Sequence, residues 1–277
     1  MASNRQRSEV DLADPRISII DERMKEIDTI IAVSSGKGGV GKSLIASTLA
    51  LNLARNGYTV GLFDLDFTSP STHTILGIRD ERPKERKGIV PPRVHGLKYM
   101  SIIYYSHDLA TPLRGVDVSN ALVELLSTTR WGKLSYLVLD MPPGIGDATL
   151  DAVRFIKKTE FLIVTTPSRL AFETVKKLVT LLRTLRIPVL GVVENMKMND
   201  AKLVQWETQK LGLRYLEQIP YDSEVEAAIG DPGKLLQTPL ADKVRRLCSK
   251  IQKAQTRPLR SGRQDRKRKA SELKAAK

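Results

Sequence analysis

The sequence predicts an α/β protein: a doubly wound, mainly parallel sheet with helices on both faces. Three observations predict it. Short, strongly apolar runs recur along the 277 residues. Stretches of helical period lie between several of them. The first strong run leads straight into a glycine-rich turn that opens a helix.

The elements follow in order. Residues 12–27 read as an amphipathic helix, with Ile17, Ile20, Met24 and Ile27 at helical spacing and Pro15 suited to a first turn. "TIIAVSS" reads as a buried strand. The pattern turns helical at Lys42 and stops at Gly57, a plausible helix end. "TVGLFDLD" is the next strand, followed by runs at 97–102, 136–142, 161–167, 189–195 and 215–220. Helical patterns cover 117–129, 147–157, 170–185 and 223–229. Residues 78–93, charged and rich in proline, read as a mobile surface loop. The organisation expected is an N-terminal helical extension (1–28), a nucleotide-binding domain (29–255) and a disordered basic tail (256–277).

Composition narrows the setting. The chain is 41% hydrophobic and 27% charged, enough for a sizeable core. It has no apolar run of about 18 residues, so a membrane span is not expected. The first thirty residues are charged throughout, and a cytoplasmic location is expected. Cys248 is the only cysteine, which rules out an internal disulfide and a cysteine cluster within one chain. Of the net charge of +14, residues 257–277 carry +7, nine Lys and Arg against Asp265 and Glu272. Such a tail lacks the apolar surface to fold alone. It serves either solubility or contact with nucleic acid or another polyanion, and the absence of interleaved aromatics favours the former.

"GKGGVGKS", Gly36 to Ser43, carries the chemistry. It matches G-x-x-x-x-G-K-[S/T] with a strand before it and a helix after it. Gly36, Gly38, Gly39, Val40 and Gly41 can turn backbone N–H groups inward around phosphates. The helix adds about half a positive charge at its N-terminus. Lys42 is placed to reach the outer phosphates and Ser43 to ligate Mg2+. "YLVLDMPPG" ends a very apolar strand on Asp140, which suits an aspartate that holds Mg2+ through water, and Gly144 suits a γ-phosphate sensor. In "FDLD", Asp64 and Asp66 stand two apart at a strand end, which would turn both carboxylates to one side. Nothing reads as N-K-x-D, so a guanine pocket of the common kind is not expected. His73, His95 and His107 show no ligand spacing.

The extra lysine of the loop, Lys37, makes "SGKGGVGKS" resemble the deviant Walker A of the MinD/ParA/nitrogenase-iron-protein class of ATPases. "LDMPPGIGD", "FLIVTTPSRLAFETVKK" and "VLGVVENM" narrow the resemblance to the Mrp (ApbC) branch, over residues 12–242. The resemblance implies a homodimeric, Mg2+-dependent ATPase that carries an iron–sulfur cluster to client proteins. It implies that Lys37 reaches the partner's nucleotide, that Asp66 orients the attacking water and that Asp64 supports the Mg2+ region. It also implies that Asn195 contacts adenine, with Pro220 and Tyr221 beside the same pocket. The chain departs from the branch at one point. A C-x-x-C pair normally follows "ENM", and here the segment is "ENMKMNDAKLVQW". The cluster is therefore in question, while ATP and Mg2+ are expected. A ParA- or MinD-like regulatory or partitioning ATPase, acting on a partner or nucleic acid, is the alternative.

Overall fold

The computed structural model describes residues 14–106 and 116–255. The basic tail from 256 onward and residues 1–13 of the N-terminal extension lie outside the described residues, as does His107. The central sheet has eight strands. They are β1 (Ile27–Ser35), β2 (Val60–Asp64), β5 (Arg93–Val94), β6 (Leu97–Ser101), β7 (Leu134–Asp140), β8 (Thr159–Thr165), β9 (Val189–Lys197) and β10 (Tyr215–Pro220). Their order is β10-β9-β8-β1-β7-β2-β6-β5. Every pairing is parallel except β5 with β6.

The central strands are covered on both faces, and their sequences show why. Along β1 the burial runs without alternation from Ile30 to Ser35, so both faces are dry. Ile31 and Val33 join one core with Ile45, Leu49 and Leu53 of α2 (Lys42–Arg55) and Val244, Leu247, Cys248 and Ile251 of α10 (Pro239–Gln255). Ile30 and Ala32 join the other. That core contains Ile20 and Met24 of α1 (Pro15–Lys25), Leu122 and Leu126 of α5 (Val116–Thr128), and Phe172, Val175 and Leu178 of α7 (Arg169–Thr184). Cys248 is fully buried in the first of these, on the face of α10 that it shares with Val244, Leu247 and Ile251.

The boundaries shift where local chemistry overrides periodicity. The first helix starts at Pro15, capped by Asp14, whose carboxylate accepts from the Arg16 N–H at 2.9 Å. It ends at Lys25, because Ile27 already pairs with Leu134 across the sheet. The segment expected to be a mobile loop is instead ordered into a two-stranded antiparallel ribbon, β3 (Lys84–Glu85) with β4 (Ile89–Val90). Lys87 and Gly88 take positive φ at its turn, and the Arg130 guanidinium donates to the Arg86 carbonyl at 2.9 Å. The helix expected over 223–229 is 3₁₀ geometry over Ser223–Ala228. Four helices escape the periodicity reading because they are short: α3 (Thr72–Leu76), α4 (Ile103–Ser106), α8 (Leu203–Lys210) and α9 (Pro232–Leu235). The remaining helix, α6 (Asp147–Phe155), lies where a helical pattern predicts one. No helix among the described residues is long and apolar enough to cross a membrane.

The fully buried Ile20 makes α1 part of the fold rather than an appendage. Ile20→Ala is expected to cost about 2–5 kcal/mol in urea unfolding, the usual cost of emptying a packed aliphatic site. A loss within error of zero would mean that α1 does not dock in solution.

A candidate nucleotide site at the C-terminal sheet edge

The strands β1, β2 and β7 all deliver their last residues to one edge. The loop after β1, residues 36–41, turns there into α2. Gly39 and Gly41 hold φ of +74° and +78°, a region that L side chains rarely adopt. Gly36 is fixed by contact instead. A Cβ there would lie 2.2 Å from Thr174 Oγ1 and 2.7 Å from the Thr174 carbonyl carbon on α7. Gly41 is the N-cap of α2 and supplies no side-chain cap. The first N–H groups of a buried, 14-residue helix therefore face this loop without a side-chain acceptor, which is the arrangement that receives phosphate oxygens.

Beneath the loop lies a buried ion pair. Lys42 Nζ donates to Asp140 Oδ1 at 2.6 Å and approaches Ser43 Oγ at 3.2 Å. Asp140 is fully buried at the end of β7, in register with Val33 on one side and Asp64 on the other. Its second oxygen, Oδ2, has no hydrogen-bond partner among the described residues. Burial raises the Asp140 carboxyl above the usual range, Lys42 opposes that and the Asp64 charge reinforces it. A cation beside Ser43 would relieve the unpartnered oxygen, so this donor set fits Mg2+. Ser43 and Asp140 are the residues that would hold it.

The extended strand ends at Asp64, and Asp66 lies beyond it, where strand alternation no longer assigns the two carboxylates to one side. Asp64 is fully buried and both its oxygens are engaged by the loop that follows. Oδ1 accepts from the Asp66 N–H at 3.1 Å. Oδ2 accepts from the N–H groups of Ser71 and Thr72 at 3.2 and 3.1 Å, and from the Thr72 hydroxyl at 2.7 Å. That hydroxyl spends its one proton on Asp64, so the Tyr99 hydroxyl donates to it at 2.9 Å. Asp64 therefore organises the 66–72 loop. Asp66 Oδ1 accepts from the Thr68 hydroxyl and the Ser69 N–H at 2.9 and 3.2 Å, so it belongs to a turn. Thr72 and Tyr99 are site residues that the sequence hides, because neither belongs to a motif.

The other expected residues fall into three groups. Lys37 is exposed at the loop tip, and its side chain makes no ion pair or hydrogen bond among the described residues. The Gly144 N–H, expected to face γ-phosphate, donates to the Ser35 carbonyl at 2.9 Å, which draws the loop after β7 onto the phosphate loop. Asn195 is buried at the β9 edge and its amide donates to the Val40 carbonyl at 2.9 Å. A cavity of about 280 Å³ opens beside it, lined by Leu44, Asn195, Met196, Pro220, Tyr221 and Val225 among others. The cavity is apolar on several sides and adjoins the phosphate loop, as a base pocket would. Leu44, Met196 and Val225 could not be read from sequence, since they converge from three separate elements.

Two expected outcomes follow from these contacts. Thr72→Val leaves the buried Asp64 short of a donor and is expected to cost about 1–3 kcal/mol in urea unfolding. Asp140→Asn is expected to abolish the Mg2+-dependent part of ADP affinity while leaving measurable metal-free binding. Titration calorimetry with and without Mg2+ reads this directly, and an unchanged Mg2+ increment would remove Asp140 from the metal site.

Comparison with known proteins agrees with this geometry. A family model described as ParA, NUBPL iron-transfer P-loop NTPase matches residues 26–256. An iron–sulfur cluster carrier protein of Aquifex aeolicus is 39% identical over 77% of this chain, and one of Pseudomonas fragi is 46% identical over 62%. The chain spans 63% and 62% of the length of these two relatives. Among solved structures, a nucleotide-binding protein from Archaeoglobus fulgidus in complex with ADP superposes with a TM-score of 0.71 at 30% identity, covering 82% of this chain and 96% of that one. MinD from Pyrococcus horikoshii complexed with Mg-ADP shares the fold at a TM-score of 0.65 and 19% identity, over 82% and 97% of the two chains. With its strand-loop-helix phosphate cradle, its buried Lys42–Asp140 pair and a family match across 26–256, this chain belongs to the NUBPL-type iron-transfer P-loop NTPases.

Proposed function

We propose that this protein is an Mg2+-dependent ATPase that works as a homodimeric switch in iron–sulfur cluster assembly or transfer. The observation that carries the reading is the buried Lys42–Asp140 pair under an uncapped helix N-terminus, with Asp140 Oδ2 still free to serve a cation. Lys42 exchanges Asp140 for phosphate oxygens when nucleotide enters. Mg2+, once bound, supplies positive charge to the β- and γ-phosphates. The loop N–H groups and the α2 N-terminus hold the same phosphates in place. The 280 Å³ cavity beside Asn195 accepts the base.

Lys37 supports the dimeric part. It lies exposed at the loop tip with no partner among the described residues of its own chain. A charge so placed serves a nucleotide across an interface better than the one beneath it. Asp66 is the proposed water-orienting group, and its present turn contacts with Thr68 and Ser69 would have to open for it to reach a γ-phosphate.

The iron–sulfur part rests on the family and on relatives named as cluster carriers. The donor chemistry of this chain does not fit a resident, cysteine-ligated cluster. Cys248 is the only cysteine in the sequence, and burial pushes its thiol up to about 12. Among the described residues no group of three or more His, Cys, Asp and Glu is placed to hold a metal ion. The cluster is cargo in this reading, met through a client protein or a partner that brings its own thiolates.

Lys37→Ala is expected to lower ATP turnover by a factor on the order of 10³, as for other charges delivered in trans, while ADP affinity stays unchanged. Turnover per chain should rise with protein concentration in the wild type. A Lys37→Ala enzyme of full activity, with turnover independent of concentration, would refute the dimeric mechanism. Anaerobic reconstitution with iron and sulfide is expected to leave the purified chain without a stoichiometric cluster. Recovery of one per dimer would place its ligands elsewhere than the missing C-x-x-C.

A further inference from the structure

A second cavity, of about 480 Å³, opens at the edge of the sheet opposite the phosphate loop. Its walls come from the end of α1, the β3–β4 turn, the start of β6 and the residues before β7. It is lined by Arg23, Arg86, Lys98 and Arg130, with Glu22, Glu26 and Trp131 among the rest. The length of β1, nine residues, separates it from the nucleotide site by roughly 25–30 Å.

Four cations share this cavity, and among the described residues none of them forms a salt bridge. Arg23 Nη1 is buried and has no hydrogen-bond partner. The Lys98 ammonium donates to the Trp131 carbonyl, and the Arg130 guanidinium donates to the Arg86 carbonyl, so both are held by neutral groups. Trp131 is fully buried, and its indole N–H is also without a partner. Burial, reinforced by the charge of Arg130, lowers Arg23 from its ordinary value. Burial and then Arg93 lower Lys98, with Glu26 acting the other way. Glu22 and Glu26 line the same cavity but are exposed, and neither forms a salt bridge with the four cations among the described residues.

Clustered cations repel one another. Glu26 eases that repulsion at Lys98, but among the described residues no salt bridge offsets it. A ligand of opposite charge would. The planar guanidinium groups suit the paired oxygens of a phosphate, and the volume suits a small molecule. A single nucleic acid strand is a poorer fit, because the one aromatic in the wall, Trp131, is fully buried and presents no face for base stacking. We propose that this cavity is a second anion site, which binds a small phosphate-class anion of two or more charges independently of the nucleotide.

The test uses the full chain with its phosphate loop filled by saturating Mg-ADP. The sequence has two tryptophans, so Trp206→Phe leaves Trp131 as the sole tryptophan, in the wall of the cavity and selectively excited at wavelengths above tyrosine absorption. Inorganic pyrophosphate is expected to bind with one equivalent in calorimetry and to change the Trp131 emission. Arg23→Gln and Arg130→Gln are each expected to weaken it by about tenfold or more, the size of one charge-assisted contact. Both should leave ADP affinity unchanged. Arg86→Gln, at an exposed turn, serves where the change at half-buried Arg23 impairs folding, and should weaken pyrophosphate in the same sense. No emission change and no heat at millimolar pyrophosphate would overturn the proposal. So would binding that ignores all three substitutions, or a single-stranded oligonucleotide that binds where pyrophosphate does not.

Discussion

The structure depends on keeping Lys42 and Asp140 together in a dry place. Two opposite charges at 2.6 Å, both buried, are tolerable only as a pair, and removing either partner strands the other in a medium that solvates it badly. Everything at the C-terminal edge is arranged around that constraint. β7 runs through the apolar, buried Leu137–Leu139 before it carries a carboxylate inward at its last residue. β1 lies next to it in parallel register, so the loop that follows opens directly above Asp140. α2 starts with the lysine itself, so the charge arrives from the helix whose N-terminus faces the same anion. The sheet order places β2 on the far side of β7, which brings Asp64 opposite Asp140 and fixes a second carboxylate in the same dry layer.

That second carboxylate shows how the site avoids two unpaired negative charges side by side. Asp140 is balanced by a cation. Asp64 is balanced by backbone and hydroxyl donors from residues 66–72, with Tyr99 backing the Thr72 hydroxyl. Burial raises the Asp64 carboxyl and these bonds oppose the rise. The two aspartates look alike in sequence, each closing an apolar strand, yet one serves charge and the other serves shape.

What the sequence revealed, and what it concealed, divides along the same line. The main parallel strands were legible because they are short, mostly apolar runs bounded by turn residues, several of them rich in β-branched side chains. The phosphate loop was legible because few other backbone tasks need glycines at 36, 38, 39 and 41 before Lys42. Lys42, Ser43 and Asp140 were legible because their chemistry is tied to fixed spacing or to a strand end. The placement of Asp66 beside Asp64 was not secured by the sequence, since period-two reasoning holds only while the chain stays extended, and the strand stops at Asp64. The basic cavity, and the Leu44 and Val225 walls that join the expected Asn195, Pro220 and Tyr221 in the base-sized cavity, were illegible for a common reason. Arg23, Arg86, Lys98 and Arg130 belong to four segments that meet only when the sheet assembles, and so do Leu44, Asn195, Tyr221 and Val225. The β3–β4 ribbon was hidden by its prolines and charges, and is held from outside by Arg130.

The phosphate loop is also wedged. On one side Gly36 backs onto Thr174 so closely that a methyl group would collide with α7, and on the other Gly41 backs onto the Asn195 amide at the end of β9. A loop held this tightly cannot rearrange privately. Any adjustment it makes to a third phosphate must push on the first turns of α7 or on the strand end of β9. Those two elements lead to Leu170 and Met198, apolar side chains left 80% and 75% exposed on the outer surface. The tight packing that shapes the phosphate loop therefore also underlies the chain segments that present these two apolar side chains to solvent.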